Sequence, residues 1–174
     1  MLQHLLAPMV RWRAEPGSQA WRMENLMAEP KATAADAELI LKLYDLRREP
    51  VMRQARSEMI AKFVPKTYDD FIAVTKGDHP LNTAYRMVSS YWEMAASLVK
   101  HGSLHLGLFA ENCGEGLFMF AKAEPHLERL RKEVSSTAFV NMEWVVTHSK
   151  EAAKRLEITK KRLEKMTAKP ATAS

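Results

Sequence analysis

The sequence predicts an all-α fold, a single-domain helical bundle of about six to seven helices with a long C-terminal helix. No segment alternates apolar and polar residues over the length of a strand, and β-branched residues are sparse. Instead, apolar residues recur every three or four positions between prolines, glycines and capping residues. A chain of 174 residues, 47% of them hydrophobic, is long enough to bury one core.

Composition divides the chain into three parts. Residues 1–32 contain three prolines and a glycine and are predicted to be an irregular leader that docks through Trp12 and Trp21 or stays mobile. Residues 33–149 are the predicted helical domain. Residues 150–174 are a predicted basic helical extension and tail.

The first helix is predicted to begin at Thr33, in "TAADAELILKLYDLRREP". Acidic residues lie near its start and two arginines at its end, which suits the helix dipole. Its predicted inward residues are Leu39, Ile40, Leu43 and Leu46.

A second helix, "PVMRQARSEMIAKF", is predicted to open at Pro50, because a proline lacks only an N–H that would be unpaired in a first turn. Its inward residues are predicted to be Ala55, Met59 and Phe63 with either Val51 or Met52. Thr67, followed by Asp70, is then a predicted N-cap for "TYDDFIAV".

The segment "LNTAYRMVSSYWEMAASLVKHG" is predicted to be the central helix, because its apolar residues cover more than one face. Gly102 is its predicted C′ residue, in the left-handed conformation that glycine adopts most easily. Its predicted core stripe is Ala84, Val88, Tyr91, Ala95 and Leu98, flanked by Met87, Trp92 and Met94.

Shorter helices are predicted after the central one. Ser103 is the predicted cap of "LHLGLFAE", and Pro125 opens "PHLERLRKE". Ser135 and Ser136 are predicted to cap a final long helix that starts near Thr137.

Several of these segments resemble a bacterial family of all-helical domains of unknown function. The similar runs are "AELILKLYDLRREPVMRQAR", "YRMVSSYWEMAASLVKHG", "LF", "EGLFMFAK" and "LERLRKE", within about residues 34–146. The shared motif is an aromatic-rich helix that ends in valine-x-x-glycine and is followed by short helices and an arginine. The resemblance implies a helical fold and a prokaryotic origin, and it transfers no functional residue.

The stretch "HGSLHLGLFAENCGEG", residues 101–116, concentrates groups that can bind metals. His101 and His105 are four positions apart, which suits zinc on one helical face, and Glu111 and Cys113 could add ligands. However, Gly102 and the predicted cap that follows it would end the helix between the two histidines. We therefore favour a connection between helices, with no metal and no cofactor, and keep a metal-dependent enzyme as an alternative hypothesis.

Other catalytic motifs in this stretch are incomplete. Gly114 and Gly116 lack the third glycine and the preceding strand of a dinucleotide fingerprint, and are predicted to allow close packing against the central helix. A nucleophilic Cys113 would need a base and a lowered pKa. Nothing in the sequence fixes the separation of Glu93, Glu111 and Glu115 as a carboxylate pair. The sequence therefore leaves enzymatic activity undecided and favours a non-enzymatic role.

The net charge of +5 belongs to the C-terminal segment. Residues 150–174 hold eight Lys/Arg against three Glu, and the rest of the chain is neutral. Apolar and polar residues follow a heptad-like spacing through this segment, so the helix could pack on the body, pair with a second copy or run free as a charged arm. These positions are Val145, Ser149, Ala152, Leu156, Thr159, Leu163 and Met166.

The leading hypothesis is a cytoplasmic, bacterial module for protein–protein interaction or self-association, such as a homodimer. The alternative is an accessory protein that contacts nucleic acid or an anionic membrane surface through the basic helix. No run of residues is apolar enough to predict a transmembrane helix. The predicted interaction residues are Lys154, Arg155, Leu156, Lys160, Lys161, Arg162 and Leu163.

Overall fold

A computed structural model describes residues 18–19 and 30–168. The chain divides into two units, residues 1–31 and 32–174, and everything below concerns the second. The predicted leader with Trp12 and Trp21, except for residues 18–19 and 30–32, and the predicted tail from residue 169 onwards lie outside the described residues. The helices are α1 (Ala34–Arg48), α2 (Pro50–Ala61), α3 (Tyr68–Ala73), α4 (Asn82–Lys100), α5 (Leu106–Asn112), α6 (Gly114–Ala123), a 3₁₀ turn (Glu124–His126), α7 (Leu127–Glu133), α8 (Val140–His148) and α9 (Lys150–Ala168).

The all-α class with a long C-terminal helix is confirmed, and no strand occurs in the described ranges. The described ranges hold nine α-helices rather than the predicted six to seven, in part because the predicted final helix is divided into α8 and α9. None of the helices in the part of the chain that the structure describes is both long and apolar enough to cross a membrane.

Two helices start with a capping box, one at the predicted cap Thr67 and one at Thr33, where only the start of the helix was predicted. Thr33 Oγ1 accepts the N–H of Asp36, and the Asp36 carboxylate accepts the N–H of Thr33 at 2.7 Å. Thr67 and Asp70 form the same reciprocal pair at the start of α3. The start of α1 at Thr33 and the Thr67 cap are confirmed, and both depend only on residues three positions apart.

Helix α4 is the centre of the bundle and packs mainly against α2 and α8. Its predicted core residues are buried, with the exception of Leu98, which is only partly buried. Val99, the next residue, takes the deep position instead. The prediction of Leu98 in the core stripe was therefore wrong by one position. The buried residues of the helix are Asn82, Ala84, Val88, Tyr91, Trp92, Ala95, Ala96 and Val99.

The end of α4 is confirmed at Gly102, whose φ is +73°. The N–H of Gly102 donates to the carbonyl of Val99, and the N–H of Ser103 donates to the carbonyl of Leu98 at 2.8 Å. These are the two hydrogen bonds of a Schellman motif, which needs the left-handed residue that glycine supplies.

The inward faces of α1 and α2 differ in part from the prediction. In α1 only Leu43 is buried, Leu39 and Ile40 are half-buried, and Leu46 is exposed. In α2 the alternative that begins at Met52 is the observed one, and Val51 is exposed. Helix α1 is apolar on several sides, so spacing alone did not decide which side faces the core.

The predicted final helix is two helices. Helix α8 begins at Val140 rather than near Thr137, and it ends at Ser149, which has extended backbone angles of φ −120° and ψ 114°. Ser149 Oγ then accepts the N–H of Ala152 and caps α9. The heptad-like spacing of Val145 to Met166 continues through Ser149, so the sequence pattern gives no indication that the helix is interrupted there.

Candidate functional site

The four candidate metal ligands are not brought together. His101 is an exposed C-cap residue of α4, whereas His105, not Ser103, is the N-cap of α5. His105 Nδ1 accepts the N–H of Leu108 at 3.0 Å. Glu111 is exposed on α5. No group of three or more His, Cys, Asp or Glu in the described ranges could hold a metal ion.

Cys113 is buried between α5 and α6, and its thiol donates to the carbonyl of Ala110 at 3.7 Å. Burial raises the pKa of this thiol to about 12. The thiolate that nucleophilic chemistry needs is therefore scarce at neutral pH. Cys113 is a core residue in this arrangement.

Glu115 has a largely buried carboxylate, its side chain 9% exposed, that joins four helices. It pairs with Arg56 of α2 at 2.6 Å and with Arg47 of α1 at 3.2 Å, and it accepts the indole N–H of Trp92 in α4 at 3.2 Å. Burial raises the pKa of Glu115, but the hydrogen bond from Arg56 and the charges of Arg47 and Arg56 outweigh burial and hold it below its usual range. We call Glu115, Arg47, Arg56 and Trp92 the Glu115 cluster.

Close packing was predicted for two glycines and is found only at Gly116, since Gly114 is exposed and a Cβ built there meets nothing within 4 Å. A Cβ built at Gly116 would lie 2.8 Å from the Trp92 ring, closer than real Cβ contacts. The absence of a side chain therefore lets α6 approach the central helix.

Glu93 of α4 is also held by structural contacts. Its carboxylate accepts the N–H groups of Asn141 at 3.1 Å and Met142 at 2.9 Å, at the N-terminus of α8. Burial raises the pKa of Glu93, while these two hydrogen bonds act in the opposite direction. The carboxylate thus caps α8, in keeping with the charge preference of a helix N-terminus.

Lys122 of α6 is a buried cation beside an open groove of about 590 Å³. Its Nζ donates to the carbonyl of Met59 at 2.7 Å and lies 4.2 Å from the ring centroid of Phe118. No acidic side chain in the described part of the chain pairs with it. Burial lowers the pKa of Lys122 to about 7. This hydrogen bond pairs a carbonyl in the last turn of α2, and a positive charge is favourable there because a helix C-terminus carries partial negative charge.

The pH dependence of stability tests this placement of Lys122. Between pH 7 and pH 9 the unfolded chain holds the lysine proton while the folded chain releases it, so the free energy of unfolding should rise with pH, by up to about 1.4 kcal/mol per unit. Below pH 7 the folded and the unfolded chain both hold the proton of Lys122, so this lysine no longer makes the free energy of unfolding depend on pH. Denaturant titrations at several pH values should show the rise in the wild type and its loss in Lys122→Met. Lys132→Met, at an exposed position, is the control and should keep the rise; equal slopes in both variants would contradict the assignment.

The structure separates the predicted interaction residues of the C-terminal segment. Leu156 is buried in the core and Leu163 is half-buried, so the apolar side of α9 packs on the body, mainly on α6 and α8. Arg155 donates to the carbonyl of Ala110 at 2.6 Å. Lys160 pairs with Glu124 and Glu157. The predicted residues that remain exposed are Lys154, Lys161 and Arg162.

The outward side of α9 carries a cluster of positive charge. None of its cations has an acidic partner in the described part of the chain, and Ile158 lies among them with 60% of its surface exposed. We call this set the α9 basic face. Its residues are Lys150, Lys154, Ile158, Lys161, Arg162 and Lys165.

A second exposed surface, on α1, was not predicted. Ala34, Ala37, Leu41, Tyr44 and Arg48 follow one another at spacings of three and four residues on the side away from Leu43, and all are exposed. Leu41 is 64% and Tyr44 55% exposed. We call these five residues the α1 outer face. Their spacing is visible in the sequence and could have identified the surface.

Comparison with known proteins gives a family but no activity. A family model described as "Domain of unknown function (DUF4760)" matches residues 32–149, more than half of the chain. This agrees with the resemblance to a family of helical domains of unknown function over residues 34–146. No curated protein and no solved structure matches the chain.

Proposed function

We propose that this chain, which belongs to the family described as Domain of unknown function (DUF4760), is a non-enzymatic module. The module associates with another protein through the α1 outer face. The observation that carries this proposal is the exposure of two large apolar side chains, Leu41 and Tyr44, that are neighbours on the outer side of α1. Neighbouring exposed apolar side chains are typical of a surface that contacts another protein.

The contacts of the reactive side chains support a non-enzymatic role. Cys113 is held as a buried thiol, Glu115 neutralises two arginines, and Glu93 caps a helix. Each of these groups has a structural partner that accounts for its burial. The exposed apolar surface of α1 has none in the described part of the chain.

Self-association is the specific form of interaction that we propose, in a bacterial cytoplasmic protein. The heptad-like pattern of α9 supported this hypothesis in the sequence, but Ala152 and Leu156 of that pattern are buried in the core. Helix α1 therefore replaces α9 as the apolar surface of the proposed interface.

Sedimentation velocity tests the proposal. The wild type should show a concentration-dependent increase in mass, and Leu41→Glu should abolish this increase. The reason is that association would bury an unpaired carboxylate at the centre of an apolar contact, which costs a large desolvation free energy. Leu46→Glu is a matched control, since Leu46 is an exposed leucine of the same helix on a different side. If Leu41→Glu associates as the wild type does, the proposed function is wrong.

A second candidate function uses the α9 basic face. Exposed cations without acidic partners favour contact with phosphate groups, of nucleic acid or of an anionic membrane surface. The supporting observation is that the apolar side of α9 packs on the body, which directs the lysines outward. Such contacts would be electrostatic, because the apolar side is not available for insertion into lipid.

A further inference from the structure

We propose that the partner of the α1 outer face is the α9 basic face of a second copy of this chain. This inference rests on the proposed function and adds to it the identity of the second surface. The contact would join two different surfaces, so copies would associate head to tail.

The α1 outer face has an apolar centre with acidic neighbours. Leu41 has Glu38 three residues before it and Asp45 four residues after it, so both carboxylates lie beside Leu41 on the surface of the helix. Glu38 and Asp45 are exposed, and neither has a cationic partner in the described part of the chain. This part of α1 therefore presents one large apolar side chain between two negative charges.

The α9 basic face has the same arrangement with the opposite charge. Ile158 has Lys154 four residues before it and Lys161 three residues after it. All three residues are exposed. Ile158 and Leu41 are both more than half exposed, so neither is covered by the part of the chain that the structure describes.

The two arrangements match in one orientation. If α1 and α9 of two copies pack in parallel with Leu41 against Ile158, Glu38 comes to the level of Lys154 and Asp45 to the level of Lys161, each within about one residue rise of 1.5 Å. At 100° per residue, both acids lie on one side of Leu41 and both lysines lie on the facing side of Ile158. Around Leu41 and Ile158, one apolar contact and two ion pairs therefore form together, whereas Arg48 and Lys165, seven residues further along each helix, come to the same level as like charges.

The position of Ile158 favours a protein surface over a phosphate backbone. An exposed isoleucine among cations gains nothing from phosphate oxygens, whereas an apolar and acidic surface accommodates both the isoleucine and the lysines. Leu41 with its neighbours Glu38 and Asp45 is a surface of this kind. Helices of 15 and 19 residues bury an area at the low end of protein interfaces, so we expect weak association that requires high concentration.

Mixing two inactive variants tests the head-to-tail contact. Leu41→Glu keeps the α9 basic face and Ile158→Glu keeps the α1 outer face, so each variant alone should have the 19.8 kDa mass of one chain. An equimolar mixture should form a species of two chains and nothing larger, because only one intact contact can form. Circular dichroism should first show that both variants remain helical.

The outcomes separate this inference from the proposed function. If Ile158→Glu alone associates as the wild type does while Leu41→Glu does not, α1 pairs with another surface, and this inference fails while the proposed function stands. If the two variants are monomeric separately and stay monomeric when mixed, the contact is not head to tail and the inference fails as well.

Charge exchange provides an independent test. The pair Lys154→Glu and Lys161→Glu should weaken association at least tenfold, and adding Glu38→Lys and Asp45→Lys in the same chain should restore it. Lys100→Glu with Lys132→Glu, at exposed lysines outside the α9 basic face, should leave association unchanged. Loss of association without restoration would contradict the proposed pairing.

Binding to phosphates is the remaining outcome to measure. Duplex DNA, duplex RNA and vesicles containing phosphatidylserine should bind the wild type and the Lys154→Glu, Lys161→Glu variant equally. If this variant keeps the association of the wild type but loses binding to one of these ligands, with a steep salt dependence, the α9 basic face serves phosphates and the inference is wrong.

Discussion

Glu115→Ala should destabilise the domain by about 3–5 kcal/mol, as measured by chemical denaturation. Removing the carboxylate leaves Arg47 and Arg56 without their ion-pair partner, and their side chains are only 16% and 22% exposed. Breaking a buried ion pair on one side is costly because the remaining charge is neither solvated nor paired. The Glu115 cluster joins α1, α2, α4 and α6, so we expect the substitution to weaken the packing of all four helices.

Two further variants identify the cause of this loss. Glu133→Ala removes a carboxylate from an exposed pair with Arg129 and should change stability by less than about 1 kcal/mol. Arg56→Met in the Glu115→Leu background should recover part of the stability, because no unpaired arginine remains at that position. A loss below about 1 kcal/mol in Glu115→Ala would show that water replaces the carboxylate.

The Glu115 cluster also predicts a dependence on pH. Its carboxyl pKa is lower in the folded chain than its usual value, so its contribution to stability is complete above that usual value and is lost as the pH falls through the folded pKa. The wild type should therefore lose stability in acid more steeply than Glu115→Ala.

The fold was predictable where the determining residues are close together in the chain. The Thr67 capping pair and the left-handed Gly102 each depend on neighbours within four positions. The central helix was predicted correctly because a helix with apolar residues on several sides must be buried on those sides, regardless of which elements cover them. The packing role of Gly116 followed from its place beside the apolar start of α6.

The Glu115 cluster was not predicted, because it joins distant residues. Glu115 is 68 positions from Arg47 and 59 from Arg56. An acidic residue next to glycines gives no indication of which arginines will face it. Only the packing of α1 and α2 against α6 and the central helix determines this pairing.

The C-terminal segment shows that one spacing fits two different environments. Residues at spacings of three and four form a stripe on a helix, but the stripe does not reveal whether the surface it covers belongs to the same chain or to another. Ala152 and Leu156 pack within the same chain. The equivalent stripe on α1, which contains Leu41 and Tyr44, is left exposed.

Leu156→Glu should unfold the domain rather than merely change its association. Leu156 is 2% exposed, on the side of α9 that packs against the body. The substitution removes a core leucine, which alone costs about 2–5 kcal/mol, and it buries a carboxylate that loses its hydration. The sum approaches the entire stability of a domain of this size, about 5–15 kcal/mol.

Ile158→Glu is the matched control for this prediction, since it places the same charge two residues away on the exposed side of the same helix. It should change the free energy of unfolding by no more than about 0.5 kcal/mol. Circular dichroism and thermal melting of the two variants should therefore give opposite results, with helical structure lost at Leu156→Glu and kept at Ile158→Glu. A folded, monomeric Leu156→Glu would instead mean that α9 leaves the body in solution and that its apolar side forms the interface between copies.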